Sequence, residues 1–241
     1  MKKKKIGIIG GMGSRAGMLL FQYIIDKSPV LCDQDFLEVL LHSNTCIPDR
    51  TRAILYQEAS PVPELQRSVK LLSEQSVDYL ISACVTSYHF YSEMQKVTQT
   101  QILNIVQMTV NHILNLYGPH CTAGILATSG TIATGLFQQA LSKANINYLT
   151  LPPDMQENDF MKSVYMNHGL KSATISHKAR EHFKACLDYM QERGTEIIIG
   201  GCTDVSAIVP EYRETYPVID VLDTAATEIV RLGYRSEVMT L

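Results

Sequence analysis

The chain contains one α/β unit written twice, and that repeat restricts the fold more than any other feature. Val77-Asp-Tyr-Leu-Ile-Ser-Ala-Cys84 aligns with Thr195-Glu-Ile-Ile-Ile-Gly-Gly-Cys202: an acidic residue, a short apolar run, two small residues and a thiol. Gly7-Ile-Ile-Gly-Gly-Met-Gly13 aligns with Gly124-Ile-Leu-Ala-Thr-Ser-Gly130. The offsets are nearly equal, 202 − 84 = 118 and 124 − 7 = 117. Two related halves facing each other across a cleft would bring one thiol to each side of a bound molecule. Such a pair can take a proton from one face of a carbon and return one to the other.

Strand-like and helix-like segments alternate along each half. Apolar runs at Lys5–Gly10, Phe36–His42, Tyr79–Ala83 and Ile102–Val106 predict four strands, and Thr122–Ala127, Tyr148–Leu151, Glu196–Gly200 and Val218–Val221 predict four more. Helical spacing covers Ala16–Ile25, Pro61–Gln75, Met108–Tyr117, Thr134–Lys143, Ser176–Arg193 and Thr224–Leu232. This alternation predicts an α/β fold with parallel sheets covered on both faces. Gly118-Pro119 lies at the seam of the repeat, so the expected domains are 1–117 joined by a returning stretch of about 221–241, and 118–220.

Composition narrows the partners. A formal charge of −3 over 241 residues provides no electrostatic footprint for nucleic acid or an anionic membrane. Lys2 to Lys5 reads as the solvated start of the first strand. The apolar run after it stops at Gly10, too short for the about 7 to 15 apolar residues of a secretory signal, and no run reaches the ~18 of a membrane helix. The expectation is a cytoplasmic protein with reduced thiols. Its six cysteines form no CxxC pair, and its seven histidines form no HExxH and have no other metal spacing, so no metal site is expected.

In open parallel sheets, ligands bind at the carboxyl ends of the strands, where Cys84, Cys202 and the loops after Gly10, Leu41 and Ala127 all fall. Gly10 to Gly13 has neither GxGxxG spacing nor a following Gly-Lys-Ser/Thr, so it reads as a tight turn and not a nucleotide loop. Both cysteines are placed where a helix should begin. A helix N-terminus favours negative charge by about 0.3 to 1 kcal/mol, which would lower a thiol pKa by roughly one unit or less. A free cysteine is usually packing; that is the reading for Cys32, Cys46, Cys121 and Cys186. Repetition at equivalent strand ends points Cys84 and Cys202 towards acid–base chemistry.

These segments resemble the cofactor-independent aspartate/glutamate racemases. The resemblance is carried by Gly10-Gly-Met-Gly13, Ser43-Asn44 with Ile47-Pro-Asp-Arg-Thr51, Ala83-Cys84 with Thr86, Ala127-Thr128 with Gly130-Thr131, and Gly200-Gly-Cys-Thr-Asp204. It implies two Rossmann-like domains related by a pseudo-twofold axis, a site between them, no cofactor, and Cys84 and Cys202 as acid and base at an α-carbon. It also implies substrate contacts from Met12, Asn44, Arg50, Thr86, Thr128, Thr131, Thr203 and Asp204, with Arg50 on the side-chain carboxylate, and a homodimer.

The chain departs from the family pattern at three places. Val85 stands where the family has an asparagine, Asp204 where aspartate racemases carry glutamate, and no lysine aligns cleanly near Tyr165, leaving His168 or Lys171 as substitutes. The expected activity is racemisation of aspartate or glutamate. The alternatives are a maleate isomerase-like or arylmalonate decarboxylase-like enzyme of the same fold, or an inactive dicarboxylate-binding protein.

Overall fold

The computed structural model describes residues 3–234; Lys2 of the basic run and 235–241 of the returning stretch lie outside the described residues. The first half holds β1 (Ile6–Gly10), α1 (Ser14–Lys27), β2 (Val39–Ser43), α2 (Arg50–Tyr56), α3 (Val62–Ser73), β3 (Tyr79–Ser82), α4 (Tyr91–Gln95), β4 (Gln101–Leu103) and α5 (Ile105–Tyr117). The second holds β5 (Thr122–Leu126), α6 (Ser129–Thr134), α7 (Leu136–Lys143), β6 (Asn147–Thr150), α8 (Pro153–Met155), α9 (Lys162–Tyr165), α10 (His177–Glu192), β7 (Ile197–Gly200) and β8 (Val218–Asp220). Helix α11 (Val221–Gly233) then returns to pack on α1 and α5 of the first half.

The two sheets are parallel and have the same strand order, β2-β1-β3-β4 and β6-β5-β7-β8. Each β strand of one half therefore has a counterpart four strands later, and the aligned cysteines follow the equivalent strands β3 and β7. Strand interiors are apolar because both faces are covered: Ile6, Ile8 and Ile9 in β1 and Ile198 and Ile199 in β7 are fully buried. Basic residues at the start of β1 are tied down, Lys5 to Glu38 at 2.8 Å and Lys4 to Asp78 at 3.3 Å.

Several expected boundaries shift for local reasons. β2 begins at Val39, not Phe36, because its pairing with β1 starts at Ile6 opposite Val39 and a 3-10 turn occupies Asp33–Asp35. The helix expected over Thr134–Lys143 is two helices, since Gly135 at φ +69° ends α6 and opens α7. Neither cysteine begins an α-helix: Cys84 precedes a 3-10 segment, Val85–Phe90, and Cys202 precedes a turn and the 3-10 segment Val205–Ala207. The helix-dipole basis for lowered thiol pKa values is therefore absent at both sites. Gly11 has φ +89°, and a Cβ there would lie 2.3 Å from the Asn44 backbone, so the glycine turn is steric in origin.

Asp220, at the end of β8, is a buried carboxyl that joins three elements. Its Oδ1 accepts from Ser206 Oγ at 2.6 Å and from the Leu222 amide at 2.9 Å, and its Oδ2 accepts from the Tyr23 hydroxyl at 3.1 Å. Burial pushes its pKa above the usual carboxylate value, although these donors oppose the shift. A raised native pKa means that stability is greatest below the unfolded value, near 4, and declines as pH rises through the native value. Asp220→Asn should abolish that contribution. Urea unfolding from pH 4 to 7 should show the variant gaining stability relative to wild type as pH rises; a constant difference would contradict this role.

Candidate active site

The two thiols meet in one enclosed cavity between the halves. It is lined by Met12, Arg50, Thr51, Cys84, Val85, Thr86, Thr128, Tyr165, Lys171, Cys202, Thr203 and Asp204. Free space inside is only about 10 Å³, whereas clefts of about 530 Å³ beside Lys171 and Asp204 and about 420 Å³ beside Thr51 and Tyr165 flank it. The site is closed, with open surface on either side of its walls.

The walls interlock across the domain boundary in a pseudo-symmetric way. Thr86, two residues after Cys84, shares hydroxyl hydrogen bonds with Thr128 at 3.1 Å and Thr131 at 2.8 Å, which themselves lie 3.2 Å apart. Thr203, next to Cys202, donates to the Ala83 carbonyl at 3.0 Å. Each cysteine loop thus reaches into the opposite half. Two further ties close the outside: the Tyr165 hydroxyl donates to Asp49 Oδ2 at 3.0 Å, and Arg15 donates to the Ser172 and Ala173 carbonyls at 3.1 and 2.6 Å.

Arg50 is the first residue of α2, whose N-terminus is capped by Asp49 accepting from the Arg52 amide. Arg50 is 7% exposed; its guanidinium donates to the Pro48 and Met12 carbonyls at 3.0 and 3.1 Å, while Nε is buried without a hydrogen-bond partner. Burial opposes its charge, yet neighbouring Cys84 and Asp49 hold its pKa above the ordinary value. Opposite, Lys171 Nζ donates to Asp204 Oδ2 at 2.7 Å, and the same oxygen accepts from Cys202 Sγ at 3.7 Å. Burial also opposes the Lys171 charge, but Asp204, Cys202 and Tyr165 raise its pKa. Burial, and next Asp204, push the Cys202 thiol well up, so Cys202 is a neutral thiol in the empty site, contrary to the lowered value expected from a helix start. Arg50 and Lys171 give the cavity two fixed cations against one carboxylate.

A family model described as Asp/Glu/Hydantoin racemase matches residues 9–229. The chain belongs to that family. It is 25% identical over 240 residues to the broad specificity amino-acid racemase RacX of Bacillus subtilis, covering 96% of this chain and all of that protein. Among solved structures it is similar to the Picrophilus torridus aspartate racemase, with a TM-score of 0.82, 26% identity and coverage of 95% and 94% of the two chains. It shares the fold of the Francisella tularensis glutamate racemase solved with D-glutamate, at a TM-score of 0.65 and 18% identity over 96% and 81% of the chains. As a member of this racemase family, the protein is an isomerase.

Of the residues expected at a racemase site, Met12, Arg50, Cys84, Thr86, Thr128, Cys202, Thr203 and Asp204 line the cavity. Thr131 lies behind it, bonded to Thr86 and Thr128. Asn44 does not reach it: its Nδ2 donates to Glu64 and Ser68 and its Oδ1 accepts from the Cys46 amide, so it serves the loop after β2. Of His168 and Lys171, Lys171 lines the cavity, whereas His168 is not among the lining residues and its Nδ1 pairs with Thr174 Oγ1. Thr51 and Tyr165 are further lining residues. Thr51 belongs to the Ile-Pro-Asp-Arg-Thr motif; Tyr165 falls in the segment where the chain departs from the family pattern, and the path of α9 brings it against Asp49, the cap of α2.

Among the described residues, no group of three His, Cys, Asp or Glu side chains is arranged to hold a metal ion, and no helix is long and apolar enough to cross a membrane.

Proposed function

We propose that this protein racemises an acidic amino acid, aspartate or glutamate, without pyridoxal phosphate, by two-base proton transfer between Cys84 and Cys202. The reading rests above all on the meeting of these two thiols, one from each half, in one closed cavity with two fixed cations. A thiolate on one side of the α-carbon takes its proton, leaving a carbanion, and the thiol on the other side delivers a proton to the opposite face. Burial disfavours the thiolate of Cys202 in the empty site, and Cys84 lies beside the Arg50 guanidinium. Arg50 offers a planar fork to a carboxylate. Exclusion of water strengthens these charge contacts. A homodimeric, cytoplasmic enzyme belongs to the same reading on the strength of the family alone.

Val85 also lines the cavity, with 1% exposure, and can neither donate to nor accept from an α-amino group. That observation supports a second reading, isomerisation of an unsaturated diacid. L- and D-aspartate, L- and D-glutamate and maleate should be incubated in deuterium oxide with dialysed protein and followed by NMR. The expected result is deuterium at the α-carbon with inversion of an acidic amino acid and no requirement for added cofactor. Conversion of maleate alone would favour the second reading, and activity returning only with pyridoxal phosphate would overturn the cofactor-free mechanism.

A further inference from the structure

The Lys171–Asp204 pair is the feature of the cavity that the two-thiol mechanism leaves unused. Asp204 is a carboxylate with 3% side-chain exposure; its Oδ2 accepts from both the Lys171 ammonium and the Cys202 thiol. Its other side faces Gly13 across the domain boundary, where a Cβ would lie 2.6 Å from Oδ1. A carboxylate this buried needs a cation beside it in every state of the site. Lys171 supplies one when the site is empty. Lys171 is also the less confined partner: its side chain is 26% exposed, it lies between the cavity and the 530 Å³ cleft, and its Nζ is 5.2 Å from the Tyr165 ring centroid. The face of that ring offers the ammonium a second resting place.

The cavity presents Arg50, Lys171 and Asp204, two cations and one anion. An acidic amino acid at neutral pH carries two carboxylates and one ammonium, the opposite set. Among these three side chains, each ligand charge finds an opposite one if the ammonium of the ligand goes to Asp204 and Lys171 is released from it. If the Lys171–Asp204 pair persisted, one carboxylate and the ammonium of the ligand would be buried without counter-ions. We propose that Asp204 is the acceptor for the substrate α-ammonium and that Lys171 holds this seat in the empty enzyme, exchanging Asp204 for a substrate carboxylate on binding. The proposal rests on the acidic-substrate reading given above and deepens it. It also gives an amino-group contact to a site in which Val85 offers none.

The test compares each amino acid with the same diacid lacking the amino group: L-aspartate with succinate, and L-glutamate with glutarate, by calorimetric titration of the full chain. Wild type should bind the preferred amino acid about tenfold or more tightly than its des-amino partner, the scale of one charge-assisted hydrogen bond. In Asp204→Asn, nearly isosteric, that ratio should fall to about one or below, because the amino acid loses the acceptor of its ammonium while the diacid no longer has to draw Lys171 from a carboxylate. In Lys171→Met both ligands should weaken while the ratio rises, because no internal ammonium competes for Asp204. An Asp204→Asn variant that weakens both ligands equally, or a Lys171→Met variant with the wild-type ratio, would overturn the proposal while leaving the racemase reading intact. If wild type neither binds nor turns over aspartate or glutamate, the acidic-substrate reading itself fails, and this proposal with it. Thermal unfolding of each variant separates a folding defect from a binding one.

Discussion

Replacing either Cys84 or Cys202 by alanine should abolish racemisation in both directions, a loss of at least about 10² to 10⁴-fold. The missing acid is as damaging as the missing base, since each enantiomer needs one thiol on each face of the α-carbon. Proton exchange without inversion should survive on one side. With Cys84→Ala, Cys202 can still remove and return the proton of a single enantiomer; Cys202→Ala should show the opposite preference. Deuterium uptake by L- and D-substrate, followed by NMR for each variant, reads this directly. Cys202 begins as a buried neutral thiol next to Asp204, so the enantiomer that depends on Cys202 as base should exchange more slowly at pH 7 and accelerate as pH rises. Full racemisation by either alanine variant would reduce one of these cysteines to packing.

Arg50→Lys should weaken the acidic substrate by roughly 10- to 150-fold, which corresponds to the about 1.5 to 3 kcal/mol of a hydrogen bond to a charged group. Lysine keeps the charge but loses the planar fork. The geometry adds a second cost, because the guanidinium also bridges the Pro48 and Met12 carbonyls and so ties α2 to the glycine turn after β1. One ammonium cannot reproduce both contacts and still present a fork to the ligand. The loss should appear in KM for aspartate or glutamate more than in kcat. Unchanged kinetics would remove Arg50 from the carboxylate site.

Much of the fold was legible in the chain because parallel strands buried on both faces must be continuous apolar runs. Ile6-Gly-Ile-Ile and Ile197-Ile-Ile stand out in the sequence, and the sequence repeat is matched by the same strand order in the two sheets. The short helices α2 and α9 were not legible. At seven and four residues they lack the length for helical periodicity and are held by tertiary contacts, such as Tyr165 with Asp49 across the boundary. Asn44 shows the reverse case: its motif placed it in the pocket, but competition for its amide by Glu64 and Ser68 keeps it in the loop.

The division between what the sequence determined and what the tertiary structure decided follows the range of the interactions. Local pattern determined the strand ends that carry Cys84 and Cys202, the tight turn at Gly10–Gly13 and the pairing of the two halves, because each depends on residues within a few positions of one another or on repetition. The protonation state of Cys202, the partnership of Lys171 with Asp204 across 33 positions and the closure of the cavity depend on burial and on charges brought together from distant segments. Desolvation and Coulomb interactions act through space. A helix-start argument from sequence therefore gave the wrong sign for Cys202: no α-helix begins there, and burial in the packed interface between the halves raises the thiol.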